Sequence, residues 1–154
     1  MAEAAGEKVI ATNRKAFFNY EIFEKAEAGI ALVGSEVKSI REGGLNFRDS
    51  FVDLRGGELW LVNCRIGPYS HGNIQNHSEG RDRKLLLHRR EIDRLIGAVA
   101  EKGLTLIPLR VYFAHGLAKM ELGLGRGRRQ FEKRQVLAAR EHQREMERES
   151  GRRR

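Results

Sequence analysis

The chain has 154 residues, a formal net charge of +8 and a single cysteine. These values predict one domain with an appendage in a reducing cytoplasm. The single cysteine argues against a disulfide framework, the acidic N-terminus MAEAAGEK against a secretory signal, and the lack of an apolar run of about 20 residues against a membrane span. Residues 126–154 carry eleven Lys and Arg against five Glu, a net charge of +6 that leaves +2 for the other 125 residues. A basic tail on a near-neutral body indicates a polyanion as the partner, and the tail lacks the apolar face needed to lie on a membrane.

The first third of the chain is predicted to begin with a loose terminus over residues 1–8. Aromatic side chains dominate residues 16–23, which favours a strand. Residues 27–29 have the composition of a turn. A short helix then begins near Ser35, which we expect to be its N-cap, and Gly43–Gly44 ends it.

The middle of the chain contains a hairpin signal. Residues 50–55 and 58–63 are both rich in strand-forming side chains, and only Gly56 and Gly57 separate them, which predicts a two-residue turn. The following segment, residues 67–83, is polar and rich in glycine, so it is predicted to be an exposed loop.

The clearest amphipathic helix covers residues 88–102, because its apolar side chains recur at positions i, i+3, i+4 and i+7, and Gly103 ends it. Residues 104–113 are strand-like but contain Pro108, which predicts an edge strand or a bulge. Residues 118–124 alternate apolar and polar side chains and form the last predicted strand.

The body, residues 9–124, is therefore predicted to be β-rich in the α+β class, with about six short antiparallel strands and two helices. Closure of the strands into a barrel would remove exposed edges, so we expect a closed antiparallel β-barrel with flanking helices. Packing of two sheets is the alternative.

The junction between body and tail, residues 122–134, changes from apolar to charged within a few positions. Its glycines are interleaved with arginines: Gly123, Gly125 and Gly127 with Arg126, Arg128 and Arg129. Glycine gives a mobile backbone, and arginine offers planar donor forks suited to phosphate. The pattern predicts a hinge that also binds RNA.

The tail, residues 125–154, contains strong helix formers from residue 131 to 149 but no continuous apolar stripe. Arg140, Arg144 and Arg148 recur at every fourth position and would line one face of a helix. Such a helix is marginal in water. We predict a tail that is disordered alone and becomes helical when its arginine face meets phosphates.

No catalytic or metal constellation is apparent in the sequence. His71 and His77 share a loop but lack further ligands at metal spacing, and Cys64 is predicted to be a core residue. We therefore expect no enzyme activity, no cofactor and no metal.

The basic segments are more informative, because aromatic side chains accompany them. They comprise residues 38–41, 81–90 and 119–134. Phe131 and the exposed side of Trp60 or Tyr112 could stack on bases. Arginine beside an aromatic ring is the chemistry that single-stranded or loop RNA requires, so the sequence predicts an RNA-binding protein.

Four stretches carry a family resemblance: GSEVKSIREGGLNFRDSF, RKLLLHRREIDRL, LIPLRVYF and LAKMELGLGRGRRQFEKR. Together they resemble the SmpB family, the SsrA-binding proteins of bacteria, from about Ile10 to Arg134. The resemblance implies a closed OB-like barrel with flanking helices. It also implies a monomeric adaptor that binds the tRNA-like domain of tmRNA (SsrA RNA).

The same resemblance implies a role in trans-translation, in which the adaptor brings tmRNA, with EF-Tu and GTP, to ribosomes stalled without a stop codon. The body would replace an anticodon arm. The tail would enter the vacant mRNA channel of the small subunit and fold there as a helix against rRNA.

Residue roles follow from the resemblance by position. Contact with tmRNA is implied for Asn13, Glu27, Lys38, Arg41, Leu86 and Lys119. Contact with the ribosomal decoding centre is implied for Arg126, Arg128, Arg129, Phe131, Glu132, Lys133 and Arg134.

This chain departs from the family at two places in the junction. Residues 125–129 read GRGRR where the family often has Ala-Lys-Gly-Lys-Lys, and Phe131–Glu132 replace Tyr or His followed by Asp. A phenylalanine stacks but cannot hydrogen-bond, which argues against a hydrogen-bonding role at position 131. Without the resemblance, another RNA-binding module, such as an rRNA-binding protein, or an RNA-processing enzyme remains open.

Overall fold

The computed structural model describes residues 7–70 and 76–152, and nine strands and four helices lie within them. The elements are β1 (Glu7–Thr12), α1 (Arg14–Asn19), β2 (Tyr20–Ile30), α2 (Gly34–Arg41), β3 (Leu45–Asn46), β4 (Phe51–Arg55), β5 (Glu58–Val62), β6 (Arg65–Ile66), β7 (Arg83–Leu86), α3 (Arg89–Lys102), β8 (Thr105–Ala114), β9 (Leu117–Gly127) and α4 (Gln130–Arg152).

Seven strands form one antiparallel sheet in the order β1-β8-β9-β2-β7-β5-β4, while β3 and β6 pair separately. The long hairpin β8–β9 turns at His115 and Gly116, which both have positive φ. Strand β2 pairs with β9 along most of its length but with β7 only at Gly29 and Ile30. Strand β2 therefore pairs with both neighbours at Gly29, where it connects β1, β8 and β9 to β7, β5 and β4.

The main core contains buried apolar side chains from the sheet and from α3, where Ile92 and Leu95 face inward. A second, smaller cluster lies beneath α1, where Ala16 packs with Ile107 and Leu109. Partly buried Phe17, Tyr20 and Ile22 complete this cluster. Helix α1 thus covers part of the sheet next to the junction with the tail.

The β-rich α+β class is confirmed, but the closed OB-like barrel is not. Strand β4 lies against β8, yet no ladder joins the two ends of the sheet among the described residues. Around Pro108 two carbonyl groups of β8 are not free to pair with another strand, because Asn13 occupies them. Proline offers no N–H, its carbonyl accepts from Asn13 Nδ2 at 2.9 Å, and the Leu109 carbonyl accepts from Asn13 N at 2.7 Å.

Three early predictions are wrong. Residues 16–19 belong to helix α1 instead of a strand, and residues 27–29 lie inside β2 instead of a turn. The N-cap of α2 is Val33, not Ser35. The Val33 N–H donates to Glu36 Oε1 at 2.9 Å, so the glutamate side chain satisfies this end of the helix.

The predictions that rest on local turn chemistry are confirmed. Gly56 and Gly57 connect β4 to β5 with φ values of 56° and 75°. Gly103 ends α3 in the left-handed conformation. The register between β8 and β9 shifts after Pro108, so Pro108 marks a bulge, and β1 pairs with β8 only over Arg110–Ala114.

The N-terminal boundary also differs from the prediction. Glu7 and Lys8 lie in β1 and pair with Ala114 and Phe113, whereas residues 1–6 are outside the described part of the chain.

The junction differs more strongly, because residues 123–127 are part of β9 and pair with β2. A Cβ atom on Gly125 would lie 2.1 Å from the backbone oxygen of Glu21, and one on Gly123 would lie 2.9 Å from Leu109 Cδ1. These two glycines allow close packing of β9 against β2 and β8. The predicted hinge is therefore a paired strand, and the body extends to Gly127.

The tail is helical from Gln130 to Arg152, which agrees with its composition. Its disorder in the absence of a partner stays a prediction. Within the described part of the chain, no helix has the length and apolar composition needed to cross a bilayer.

Candidate nucleic-acid interface

Three of the predicted tmRNA contacts converge where β9, β2 and β7 run side by side. Gly29 of β2 lies opposite both Lys119 of β9 and Leu86 of β7. Glu27, two residues earlier on β2, points to the same face. Its Oε1 lies 3.9 Å from Lys119 Nζ. The register of the sheet therefore brings a cation, a carboxylate and an apolar side chain together.

Leu86 is the apolar member of this group and is 51% exposed. Two shallow depressions, of about 500 Å³ and 330 Å³, lie beside it, and Gly29, Leu86 and Lys119 line both. Because Gly29 has no side chain, no side chain at this position separates the two depressions. This shape suits an unstacked base or ribose, with Lys119 available to a phosphate.

Glu27 is held by a residue that was predicted to have a different role. The hydroxyl of Tyr112, on β8, donates a hydrogen bond to Glu27 Oε2. Burial, together with the Glu27 carboxylate, raises the pKa of Tyr112 well above its ordinary value. Tyr112 is only 3% exposed, so it cannot stack on a base as the sequence analysis proposed.

Lys38 and Arg41 project from α2, and both are exposed. The Lys38 ammonium lies 5.4 Å from the ring centre of Tyr69, and the Arg41 guanidinium lies 5.3 Å from that of Phe113. Phe113 pairs with Ala118, the neighbour of Lys119, so Arg41 lies near the same end of β9. The Phe113 and Ala118 side chains pack in the core, on the face of the sheet opposite to Lys119, so Arg41 lies on that side of the sheet and does not join the Lys119 group.

Asn13 does not join this group. It is the N-cap of α1, where its Oδ1 accepts from the Ala16 N–H at 3.4 Å and its Nδ2 donates to the Pro108 carbonyl. Both functional atoms of its amide are therefore engaged within the protein. It borders a separate depression of about 270 Å³ that Lys15 and Arg48 also line.

The predicted ribosome-facing residues cluster where β9 meets α4. Arg126 binds two carboxylates, Glu21 Oε2 at 2.7 Å and Glu132 Oε2 at 3.2 Å. The hydrogen bond from Arg126 lowers the pKa of Glu132, and the same contact raises the pKa of Arg126. Arg128 donates from Nε to the Tyr20 carbonyl at 3.3 Å. Two of the three arginines in this run are thus engaged with the protein itself.

Helix α4 contacts α1 through one aromatic ring. Lys133 Nζ and the guanidinium of Arg140 each lie 5.9 Å from the ring centre of Phe18. Phe131, by contrast, is 56% exposed and is available to stack. Other exposed cations of this region are Arg129, Arg134, Arg144 and Arg148.

A buried ion pair that the sequence did not predict connects β7 to α2. Arg83 and Glu36 are both fully buried, and Arg83 Nε lies 2.6 Å from Glu36 Oε2. Arg83 also donates to the carbonyls of Cys64 and Arg81, at 2.7 Å and 2.8 Å. Arg83 is therefore unavailable to RNA, although it belongs to the basic segment 81–90.

Burial disfavours the charged form of Glu36. Hydrogen bonds from Arg81, the Val33 N–H and Arg83 outweigh this effect and lower its pKa. One sequence signal could have located Arg83: it stands two positions before Leu85, on the same face of a strand whose Leu85 is buried.

Metal-binding chemistry has no support in the described ranges 7–70 and 76–152, where no three His, Cys, Asp or Glu side chains are grouped to hold an ion. His71 lies outside these ranges. His77 Nδ1 is 2.8 Å from Ser35 Oγ, and its Nε2 is 2.8 Å from the Ile66 carbonyl. His77 therefore links α2 to β6.

Comparisons with known proteins agree on one family. The family model described as "SmpB protein" matches residues 10–152. An "SsrA-binding protein" of Carboxydothermus hydrogenoformans is 57% identical over 141 residues, covering 92% of this chain and 95% of the relative. One from Mycolicibacterium smegmatis is 52% identical over 150 residues, covering 97% and 93%.

A solved structure is similar as well. Its description reads "tmRNA-SmpB: a journey to the center of the bacterial ribosome". The match has a TM-score of 0.65 and 51% sequence identity, and it covers 78% of this chain and 85% of the solved chain.

Proposed function

The chain belongs to the SmpB family, and we propose that it binds the tRNA-like domain of tmRNA and delivers this RNA to stalled ribosomes for trans-translation. It is an RNA-binding adaptor and not an enzyme. The observation that carries this conclusion is the similarity to SsrA-binding proteins over more than nine-tenths of the chain. The structure of a tmRNA–SmpB complex, at 51% identity, supports it independently.

The tmRNA site on the body is proposed to centre on Glu27, Leu86 and Lys119. Lys119 attracts phosphate, Leu86 supplies an apolar contact, and Glu27 accepts hydrogen bonds from exocyclic amines or 2′-hydroxyls. Lys38 and Arg41 add exposed positive charge on α2. Asn13 has a different role in this proposal: it shapes α1 and the adjoining depression, because its amide already binds the backbone.

The tail is proposed to contact the small ribosomal subunit at the decoding centre. Its exposed arginines and Phe131 supply phosphate contacts and a stacking surface. None of the described residues beyond Gly127 belongs to either core cluster, so the tail can leave the body without opening the core. The proposal includes a tail that folds as a helix only when it is bound.

Three further statements complete the proposal. The protein acts as a monomer, it works in the cytoplasm, and EF-Tu with GTP accompanies it through the aminoacylated tmRNA. The positive tail and the basic end of β9 support partners that are polyanions.

The binding experiment compares the tRNA-like domain with bulk tRNA and rRNA fragments in gel shifts at one fixed salt concentration, because affinity depends steeply on salt. We expect selective binding to the tRNA-like domain. Equal binding to rRNA fragments would instead identify an rRNA-binding protein.

A truncation separates the two halves of the proposal. A chain that stops after Arg129 should bind the tRNA-like domain almost as tightly as the full chain, yet should fail to support peptide tagging on stalled ribosomes. A large loss of affinity for the tRNA-like domain in this truncation would show that the RNA site is placed wrongly.

A further inference from the structure

The phenol of Tyr112 connects two strands that do not pair with each other. Tyr112 belongs to β8 and Glu27 to β2, and β9 lies between these strands. Lys119 of β9 is the register partner of Tyr112. The Tyr112 hydroxyl nevertheless reaches Glu27 Oε2, so its ring extends across β9 beside Lys119.

The surroundings of the ring hold it in place. The Arg110 guanidinium lies 4.6 Å from the centre of the Tyr112 ring, and Arg110 Nε binds Glu121 Oε2 at 2.9 Å. Arg110 and Glu121 are 19% and 14% exposed, so this ion pair is shielded from solvent. A buried ring beneath a fixed guanidinium has little rotational freedom, and its hydroxyl is a defined donor.

We propose that Tyr112 is a positioning residue for RNA binding, because its hydroxyl fixes one oxygen of Glu27 and leaves the other oxygen aimed at the RNA. This inference rests on the proposed function, in which Glu27 contacts tmRNA. Glu27 Oε2 accepts from Tyr112, and Oε1 remains at 3.9 Å from Lys119 Nζ. Glu27 Oε1 and the Lys119 ammonium thus form an ion pair of fixed position.

The fixed pair contributes to affinity by reducing conformational freedom before binding. The side chain of Glu27 is 53% exposed, and an exposed glutamate without a partner samples several rotamers. Ordering such a side chain on binding weakens affinity by about two- to twelvefold. The Tyr112 hydroxyl removes much of this cost in the free protein.

The pair also contributes to specificity. A carboxylate repels phosphate, so Oε1 accepts only from a donor such as an exocyclic amine or a 2′-hydroxyl. Lys119 beside it favours a phosphate. An RNA that places a donor and a phosphate at this spacing is preferred over one that presents phosphates alone.

The test is a double-mutant cycle in the full chain, with affinity for the tRNA-like domain as the readout. Tyr112→Phe keeps the ring but removes the donor, and we expect binding to weaken about five- to tenfold. Glu27→Ala removes both acceptor oxygens and should weaken binding at least as much. Because the hydroxyl acts through Glu27, adding Tyr112→Phe to Glu27→Ala should change affinity less than twofold.

Two further variants guard against an indirect effect. Glu27→Asp keeps the charge and leaves the core untouched, but it withdraws the carboxylate from Tyr112, so binding should weaken as in Tyr112→Phe. Glu24→Gln is the matched control, because Glu24 is an exposed carboxylate on the same strand that pairs with Arg94. Its affinity should equal that of the unmodified chain.

The outcomes separate the inference from the function. If the unmodified chain does not prefer the tRNA-like domain over bulk tRNA, the proposed function fails. If it does, but Tyr112→Phe and Glu27→Asp bind within twofold of it, the positioning role is overturned while the function stands. Equal weakening by Tyr112→Phe with and without Glu27→Ala overturns it too, since that result indicates general destabilisation.

Discussion

The glycines of the junction allow a graded test of whether residues 123–127 form a packed strand or a flexible linker. Alanine at Gly125 would place its Cβ 2.1 Å from the Glu21 backbone oxygen, whereas no atom lies within 4 Å of a Cβ at Gly127. Gly123 is intermediate, with its nearest contact at 2.9 Å to Leu109 Cδ1. A packed strand therefore predicts three different costs for the same substitution.

The magnitudes follow from what must move. At Gly125 the obstacle is backbone, and it must move by 0.9 Å, from 2.1 Å to the 3.0 Å limit of real Cβ contacts. The separation of β9 from β2 loses ladder hydrogen bonds, so Gly125→Ala should cost about 3–5 kcal/mol. Gly123→Ala meets the end of a flexible side chain and should cost about 1 kcal/mol.

Gly127→Ala is the matched control. It should be neutral or about 0.5 kcal/mol more stable, because alanine reduces the conformational freedom of the unfolded chain. Urea unfolding gives the free energies directly. In a thermal scan, Gly125→Ala should lower Tm by about 10 °C, because 1 kcal/mol shifts Tm by about 2–4 °C at this chain length.

One result would refute the packed strand. If the free energies of unfolding of Gly125→Ala and Gly127→Ala differ by less than about 1 kcal/mol, the close approach to Glu21 does not exist. Residues 123–127 would then be the mobile linker that their composition predicts.

Three further changes have defined expectations. Glu36→Gln leaves the buried Arg83 guanidinium without its charge partner and should cost about 3–5 kcal/mol in urea unfolding. The pKa of Glu36 is below 4.5 in the folded protein. The contribution of Glu36 to the free energy of unfolding is therefore present above pH 4.5 and lost as pH falls through its pKa in the folded protein. If the free energy of unfolding of Glu36→Gln falls with decreasing pH as steeply as that of the unmodified chain, this role is contradicted. Arg129→Ala should reduce the slope of log affinity against log salt on ribosomal RNA by about 0.7–0.9, and an unchanged slope would exclude a phosphate contact. Glu27→Gln should lower the pKa of Tyr112, so phenolate absorbance should appear at lower pH than in the unmodified chain; no shift would show that the two groups do not interact.

The parts of the fold that could be predicted from sequence are those whose cause is local. Gly56 and Gly57 adopt positive φ wherever they occur in a tight hairpin, so two residues determine the turn. The apolar spacing of α3 likewise identifies its buried face, which includes Ile92 and Leu95. Neither prediction depends on knowing what lies across the core.

Helix α1 shows where local evidence fails. Phe17 and Phe18 favour a strand by propensity, yet both lie in a six-residue helix. The helix is stabilised by the Asn13 cap and by packing of Phe17 on the cluster that contains Ile107 and Leu109. Those partners are about 90 residues away, and a single sequence does not show the contact.

The candidate site likewise has a part that the sequence could predict and a part that depends on contacts between distant strands. Glu27, Leu86 and Lys119 could be named from the family resemblance, but their convergence depends on register, which places Gly29 opposite two strands at once. The engagement of Arg126 by Glu21 and Glu132 is another consequence of register. Charge counts had treated Arg126 as available to phosphate, because they do not show which cations already have partners.

Strand β9 joins the two proposed RNA-binding groups and determines their spacing. Lys119 and Arg126 are seven residues apart on one strand, which corresponds to about 24 Å. Because β9 pairs with β8 on one side and β2 on the other, this separation cannot change without loss of ladder hydrogen bonds.

Only Arg128 and Arg129 separate β9 from α4, and the Arg128 N–H binds the Asn19 carbonyl at 2.7 Å. The starting point of the tail is therefore fixed relative to the proposed tmRNA site. In an adaptor built in this way, the orientation of the bound RNA determines where the tail begins. Movement of the tail relative to the body must arise beyond Arg128, and not at the glycines of residues 123–127.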